Sequence, residues 1–198
     1  MARHSKREHL IETAMGLFCR EGFRTTSINK ILAEAGVSRA TLYKHFKSKE
    51  DLSLAIVRRR NEEFRVCFQN AVNSRVRKPQ DQLLVIFDVL DDWFRGKEIP
   101  EIRFSGCPLI NACVEFGEYT GPAYRVAAKH NKLMLHYVTG LAEQAWADDP
   151  DKLARQLMLL TEGAIVTAYV SGDPDTGRRV KRIAADLINV SCTAAVDV

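Results

Sequence analysis

The sequence predicts an all-α chain of about nine helices, and three observations carry the prediction. Apolar side chains recur at intervals of three and four, as in Leu83, Phe87, Leu90 and Phe94, and with one polar member in Val126, His130, Leu133, Tyr137 and Leu141. That spacing lines them along one face of a helix. No sustained alternation of period two marks a strand. All six prolines fall at or after position 79, each where a helical pattern breaks or is about to begin.

Four helices are read upstream, the last ending near residue 73. Beyond it, Pro79, Pro108, Pro122, Pro150 and Pro174 suit opening turns, where a missing backbone N–H costs nothing, and Pro100 lies in a polar loop after Gly96. Helices are therefore predicted over 79–95, 107–116, 122–147, 150–171 and 175–194. The run AIVTAYV, 164–170, is β-branched enough for a strand, but it continues the spacing of Leu153, Leu157 and Leu160 and is read as helix.

Composition is ordinary for a globular protein, with 46% hydrophobic and 27% charged residues, and the length suits one large domain or two small ones. No run approaches the ~20 apolar residues of a membrane span, and the start, ARHSKR, is basic rather than a signal core, so a cytoplasmic protein without a membrane partner is expected. Five cysteines, at 19, 67, 107, 113 and 192, are odd in number and lack CxxC pairing. They are read as reduced thiols, with no cofactor and no metal. The net charge of +4 is unevenly divided: residues 1–60 hold 13 Lys/Arg against 6 Asp/Glu, residues 61–198 hold 16 against 19. A positive field confined to a small module is the footprint of contact with phosphates.

The segment TTSINKILAEAGVSRATLYKHFKSKEDL, 25–52, is the most specific part of the chain. Thr26 suits the N-cap of a short helix ending at Ala35, Gly36 the left-handed residue that stops it, and Val37 the return to the core. Ser38 caps a second short helix, on which Leu42 and Phe46 face inward with Ile28, Ile31 and Ala35. Its other face presents Arg39, Thr41, Tyr43, Lys44 and His45, with Ala40 small enough for close approach to a groove. This is a helix-turn-helix, and its candidate DNA contacts are Thr26, Ser27, Ser38, Arg39, Ala40, Thr41, Tyr43, Lys44, His45 and Lys49. Arg39 is the candidate base reader; Thr41, Tyr43, Lys49, Arg3 and Lys6 are candidates for phosphates. Ser48 and Asp51 form a capping-box-like start to a long helix, 48–73, whose N-terminal dipole favours a phosphate beside Lys49.

This segment, with IETAMGLFCREGF before it, resembles the DNA-binding domain of the TetR family of bacterial regulators, over about the first 60 residues. Lys30 and Leu32 stand where many relatives carry Asp and Ala, and Ala40 replaces a frequent Gly. The resemblance implies a DNA-binding domain, 1–47, and a helical ligand-binding and dimerisation domain, 48–198. It further implies a homodimer joined by a four-helix interface of the last two helices, a palindromic double-stranded operator, and repression relieved by a small molecule. Gly163, Ala164 and Ala168, with Ile183, Ala184, Leu187 and Ile188 of the stripe that Val180 begins, fit that interface, or bury within their own subunit.

Candidate ligand contacts are Phe87, Trp93, Phe94, Cys107, Asn111, Glu115, His130, Met134, Tyr137 and Glu162, since aromatic walls with a few polar groups make ligand sites. The same spacing also makes plain core, and for His130 a satisfied core histidine is the stronger reading. FSGCPLINACVEF, 104–116, resembles a Gly-Cys helix start of a family branch that includes oxidant and electrophile sensors. Cys107 before Pro108 would sit at a positive helix end, which favours thiolate; a small buried residue is the plainer alternative. An enzyme is disfavoured: Cys107 and Cys113, like His130 and His136, lie six apart and do not converge on a helix face, and neither a phosphate loop, a nucleophile elbow nor HExxH is present. A nonspecific architectural DNA-binding protein is the remaining alternative, distinguished by uniform affinity across sequences.

Overall fold

The structure, a computed structural model, describes residues 5–22, 25–97, 104–116, 121–173 and 175–192, without the side chains of Cys19, Pro108, Glu115 and Phe116. These residues form nine helices and no strand: α1 (Lys6–Glu21), α2 (Ile28–Ala35), α3 (Arg39–His45), α4 (Lys49–Arg75), α5 (Pro79–Phe94), α6 (Pro108–Phe116), α7 (Pro122–Gln144), α8 (Pro150–Ser171) and α9 (Thr176–Ser191). Pro79, Pro108, Pro122 and Pro150 each open a helix, and 164–170 lies within α8.

α7 ends three residues before the predicted 147, and the cause is local. Ala147 N–H donates to Ala142 O at 3.0 Å and Trp146 N–H to Glu143 O at 3.1 Å, the bond pair of a Schellman stop. The left-handed residue is Trp146, φ 56°, where glycine is usual. No glycine signalled the stop, so the apolar pattern overran it.

Serine caps set the N-terminal helices. Ser5, Ser27, Ser38 and Ser48 each accept the N–H three residues on at 3.2 Å, each contact stabilising by about 1 kcal/mol. The expected cap Thr26 is corrected to Ser27. Thr26 is fully buried, its hydroxyl donating to Gly22 O at 2.8 Å. Gly36, φ 60°, takes the left-handed turn as expected. Leu10, Ile11, Ala14 and Leu17 of α1 close a core with Ile31, Ala35, Leu42 and Phe46, joined by Leu52 and Ile56 of α4. His9 binds Ala35 O through Nε2 at 3.0 Å, and the Arg7 guanidinium lies 5.3 Å over the Phe46 ring.

Further along α4, Phe68 and Val72 belong to the second core. At 1.5 Å per residue α4 is about 40 Å long, so one rigid element is built into both cores. The second core centres on α5, whose Leu83, Val85, Ile86, Phe87, Val89, Leu90 and Trp93 are buried beneath α4, α7, α8 and α9. Here α9 approaches α5 at Gly177, where an added Cβ would lie 2.6 to 2.8 Å from Asp91 Cβ, Oδ1 and Cα. Lys181 of α9 clamps both carboxylate oxygens of Asp88 at 2.7 Å.

Candidate DNA-binding face and C-terminal cleft

On α3, Leu42 anchors the helix inward while Arg39, Ala40, Tyr43 and Lys44 are exposed and Thr41 and His45 half-exposed. Ser38 Oγ meets Thr41 Oγ1 at 3.0 Å as well as the Thr41 N–H, so both hydroxyls are held at the head of the helix. The Arg39 guanidinium donates to Asn29 Oδ1 of α2 at 2.5 Å. Asn29 escaped the sequence reading because its partner lies ten residues away on the second helix of the motif; it aims the candidate base reader. Lys49, half-exposed, opens α4 beside Ser48, and Glu50 is held below its ordinary carboxylate range chiefly by the Ser48 side chain. Lys6 is exposed at the start of α1, and Arg3 lies outside the described residues. Thr26, buried, presents nothing to a groove.

Behind this face, Arg59 of α4 donates to Glu8 of α1 at 2.6 Å, to Glu12 at 3.4 Å and to Glu63 of its own helix at 2.8 Å. Glu63 first, then Glu8 and Glu12, push the guanidinium pKa above its ordinary value. One side chain thereby ties α1 to the helix that runs into the C-terminal domain.

Two neighbouring clefts open between α4 and α7. The larger, about 660 Å³, is lined by Arg65, Gln69 and Asn73 of α4, by Arg77 and Gln82, and by α7 from Leu133 to Gln144. Tyr137 lines it and donates to Asn73 Oδ1 at 2.9 Å; burial pushes its phenol up to about 12. The second, about 440 Å³, lies between Arg58, Asn61 and Glu62 of α4 and Arg125, Lys129 and His130 of α7. Burial, and after it the charge of Arg65, lowers His130 from 6.5 to about 4. Its Nδ1 is buried without a hydrogen-bond partner among the described residues, which corrects the expectation of a satisfied core histidine. The cations around it lie on two helices distant in sequence, so periodicity did not reveal them.

Other predicted ligand contacts lie elsewhere. Phe87, Trp93 and Met134 are core, and neither they nor Phe94 lines these clefts. Trp93 and Phe94 instead form a tilted and edge-on aromatic cluster with Phe64 and Phe104, ring centroids 4.6 to 6.0 Å apart. Asn111 is exposed, not buried, and donates to Ser105 O at 3.4 Å; Glu162, half-buried, accepts from Asn131 at 3.1 Å. The Glu115 side chain lies outside the described residues. Cys107 is half-exposed and caps α6 with its carbonyl, 3.0 Å from Asn111 N. The Cys113 thiol is pushed up by burial and then by Cys107, away from thiolate.

Of the residues assigned to the dimer interface, Ala164, Ala168, Ala184 and Ile188 are buried within the subunit, because α8 and α9 pack on each other and on α5. Gly163 and Ile183 are exposed and Leu187 half-exposed. They continue into apolar side chains missed from sequence: Leu159 (70% exposed), Val166 (46%) and Val170 (78%) on α8, and Val190 (76%) on α9. Positions 159, 163, 166 and 170, like 183, 187 and 190, follow the four-three spacing of a helix-packing seam.

No helix of the described residues is long and apolar enough to cross a membrane. The profile of bacterial regulatory proteins of the tetR family matches residues 10–56, and that of the tetracyclin repressor-like C-terminal domain matches 79–184. The transcriptional regulator AcrR of Shigella flexneri is 41% identical over 58 residues, 26% of this chain and 27% of that protein. The match covers 18% of the regulator YerO of Bacillus subtilis and 53% of the repressor ComR of Escherichia coli, so the chain spans less than two thirds of the length of these curated relatives. A TetR-type regulator from Streptomyces avermitilis superposes with a TM-score of 0.75 at 29% identity, over 95% of this chain and 98% of that one. A second, from Streptomyces coelicolor, gives 0.78 at 28% identity over 94% and 96%. Two family profiles covering both halves of the chain, on a fold shared nearly end to end, place it in the TetR family of helix-turn-helix transcriptional regulators.

Proposed function

We propose that the protein is a homodimeric repressor, binding a palindromic operator through α3 of each protomer and released by a small molecule in its C-terminal domain. The observation that carries this reading is the outward face of α3, on which Arg39 is aimed by Asn29 while Leu42 and Ser38 fix the helix beneath it. In this reading Arg39 reads a base edge; Ser27, Ser38, Thr41, Tyr43, Lys44, His45 and Lys49 position the module on the backbone, and Ala40 permits close approach. The exposed seams of α8 and α9 support pairing with a second copy, which sets two recognition helices in successive major grooves. The α4 helix, tied to α1 by Arg59 and bordering both clefts, is the element whose shift would link ligand to operator.

A competition gel shift at physiological salt tests the function. A selected palindromic duplex should outcompete random DNA by at least ~1,000-fold; equal competition by all duplexes would mark a nonspecific architectural protein.

A further inference from the structure

The smaller cleft departs from the charge of the domain that holds it. Residues 61–198 carry more carboxylates than cations, yet among the described residues Arg58, Arg65, Arg77, Arg125 and Lys129 border the α4–α7 groove against one carboxylate, that of Glu62. That carboxylate is paired with Arg65. Neither Arg58 nor Lys129 forms an ion pair with a described residue, so the groove keeps an uncompensated positive field.

Beside these cations sits His130, its Nδ1 buried and without a hydrogen-bond partner among the described residues. Such an atom is costly to leave unmet. The neutral imidazole offers one hydrogen bond at a point surrounded by positive charge, which suits an oxygen carrying negative charge. At about 440 Å³, with Val126 and Leu133 as its apolar walls, the cleft has the size of a small-molecule site.

We propose that the α4–α7 groove binds a small oxyanion-bearing molecule, a carboxylate or a phosphate, held by Arg58 and Lys129, with the His130 ring turning toward the cleft so that Nδ1, enclosed in this structure, donates to an anionic oxygen. This names a ligand class for the ligand-released repressor and rests on that reading for its regulatory consequence, not for binding itself. Arg58 precedes Arg59, which holds Glu8 and Glu12 of α1, so the site and the anchor of α1 share one turn of α4.

The test is isothermal titration calorimetry of the full chain at about 0.15 M salt, with citrate and pyrophosphate as probes. One saturable site per protomer is expected. Heat from citrate alone assigns a carboxylate, from pyrophosphate alone a phosphate, and from both an anion chosen by charge; each supports the site. Arg58→Ala and Lys129→Ala should each weaken binding about tenfold, while Lys132→Ala, exposed on the same helix and outside the cleft lining, should not. Saturation should shift the ¹⁵N resonance of His130 Nδ1 in the wild type, a change that a merely structural histidine would not show. No saturable heat from either probe overturns the proposal, as do equal affinity in Arg58→Ala and Lys129→Ala, an unmoved Nδ1 resonance, or displacement of the probe by random duplex DNA. Absent anion binding with operator preference intact removes this site alone, whereas lost operator preference with anion binding intact removes the regulator reading alone.

Discussion

Acidification should destabilise this protein through His130 by an amount the structure sets. The imidazole titrates near 6.5 when unfolded and near 4 when folded, because burial and the charge of Arg65 oppose protonation. Between those values the unfolded chain binds the extra proton and the folded chain does not, so stability present above about pH 6.5 is lost as pH falls toward 4. At about pH 5 the unfolded imidazole is almost fully protonated and the folded one about a tenth so. The difference is about 1.5 pH units, or ~2 kcal/mol lost per protomer relative to about pH 7.5. The assay is urea denaturation across that range at one fixed protomer concentration, for wild type and His130→Gln. The variant should lack about 2 kcal/mol of the pH-dependent loss, and the ¹H spectrum of the wild type should show one imidazole with a midpoint near 4. Parallel pH slopes in the two proteins, or a His130 midpoint near 6.5, would refute the reasoning.

Four further outcomes are expected. Arg39→Ala should relax base preference at one operator position by ~1 to 3 kcal/mol in a gel-shift panel of single-base variants, and Asn29→Ala should follow it in the same direction; uniform weakening across the panel would reassign Arg39 to a phosphate. Gly177→Ala should lower thermal stability by about 1 to 3 kcal/mol, since its methyl meets Asp91 backbone and α9 must lift from α5; an unchanged melting temperature would show that contact to be slack. Trp146→Gly should stabilise by roughly 1 kcal/mol in urea, because the left-handed backbone favours glycine. Val166→Glu should leave the circular dichroism spectrum intact and shift the species in light scattering from dimer to monomer, since Val166 is half exposed on the α8 seam and lies outside the buried core; a persistent dimer would place the interface elsewhere.

Much was legible before folding because local chemistry encodes it. The four proline-opened helices, the Gly36 turn, the Ser38 cap and the inward Leu42 and Phe46 depend on residues within one or two turns of each other, and spacing alone reads them. The α3 face follows from the same local rule, since whatever does not point inward must point out. Local rules fail where two adjacent residues are equally competent, as Thr26 and Ser27 are for the cap of α2, and where an unfavourable residue holds the left-handed stop, as Trp146 does.

What only tertiary structure decided depends on partners far apart in the chain. Helical periodicity marks a side chain as facing a neighbour, but not whether that neighbour is core, cleft or a second subunit. Phe87 and Trp93 share the spacing of Tyr137, yet α9 closes over α5 and buries them while Tyr137 is left on a groove. Ala184 and Ile188 share a helix with Val190, yet they fill the core while Val190 stays outside. Arg58 and Lys129 stand 71 positions apart, and only the packing of α4 against α7 brings their charges to His130. The sequence by itself determined the helices and the candidate DNA-binding face, because these follow from contacts along the chain; the cleft, the seam and the unmet nitrogen of His130 exist only where distant helices meet.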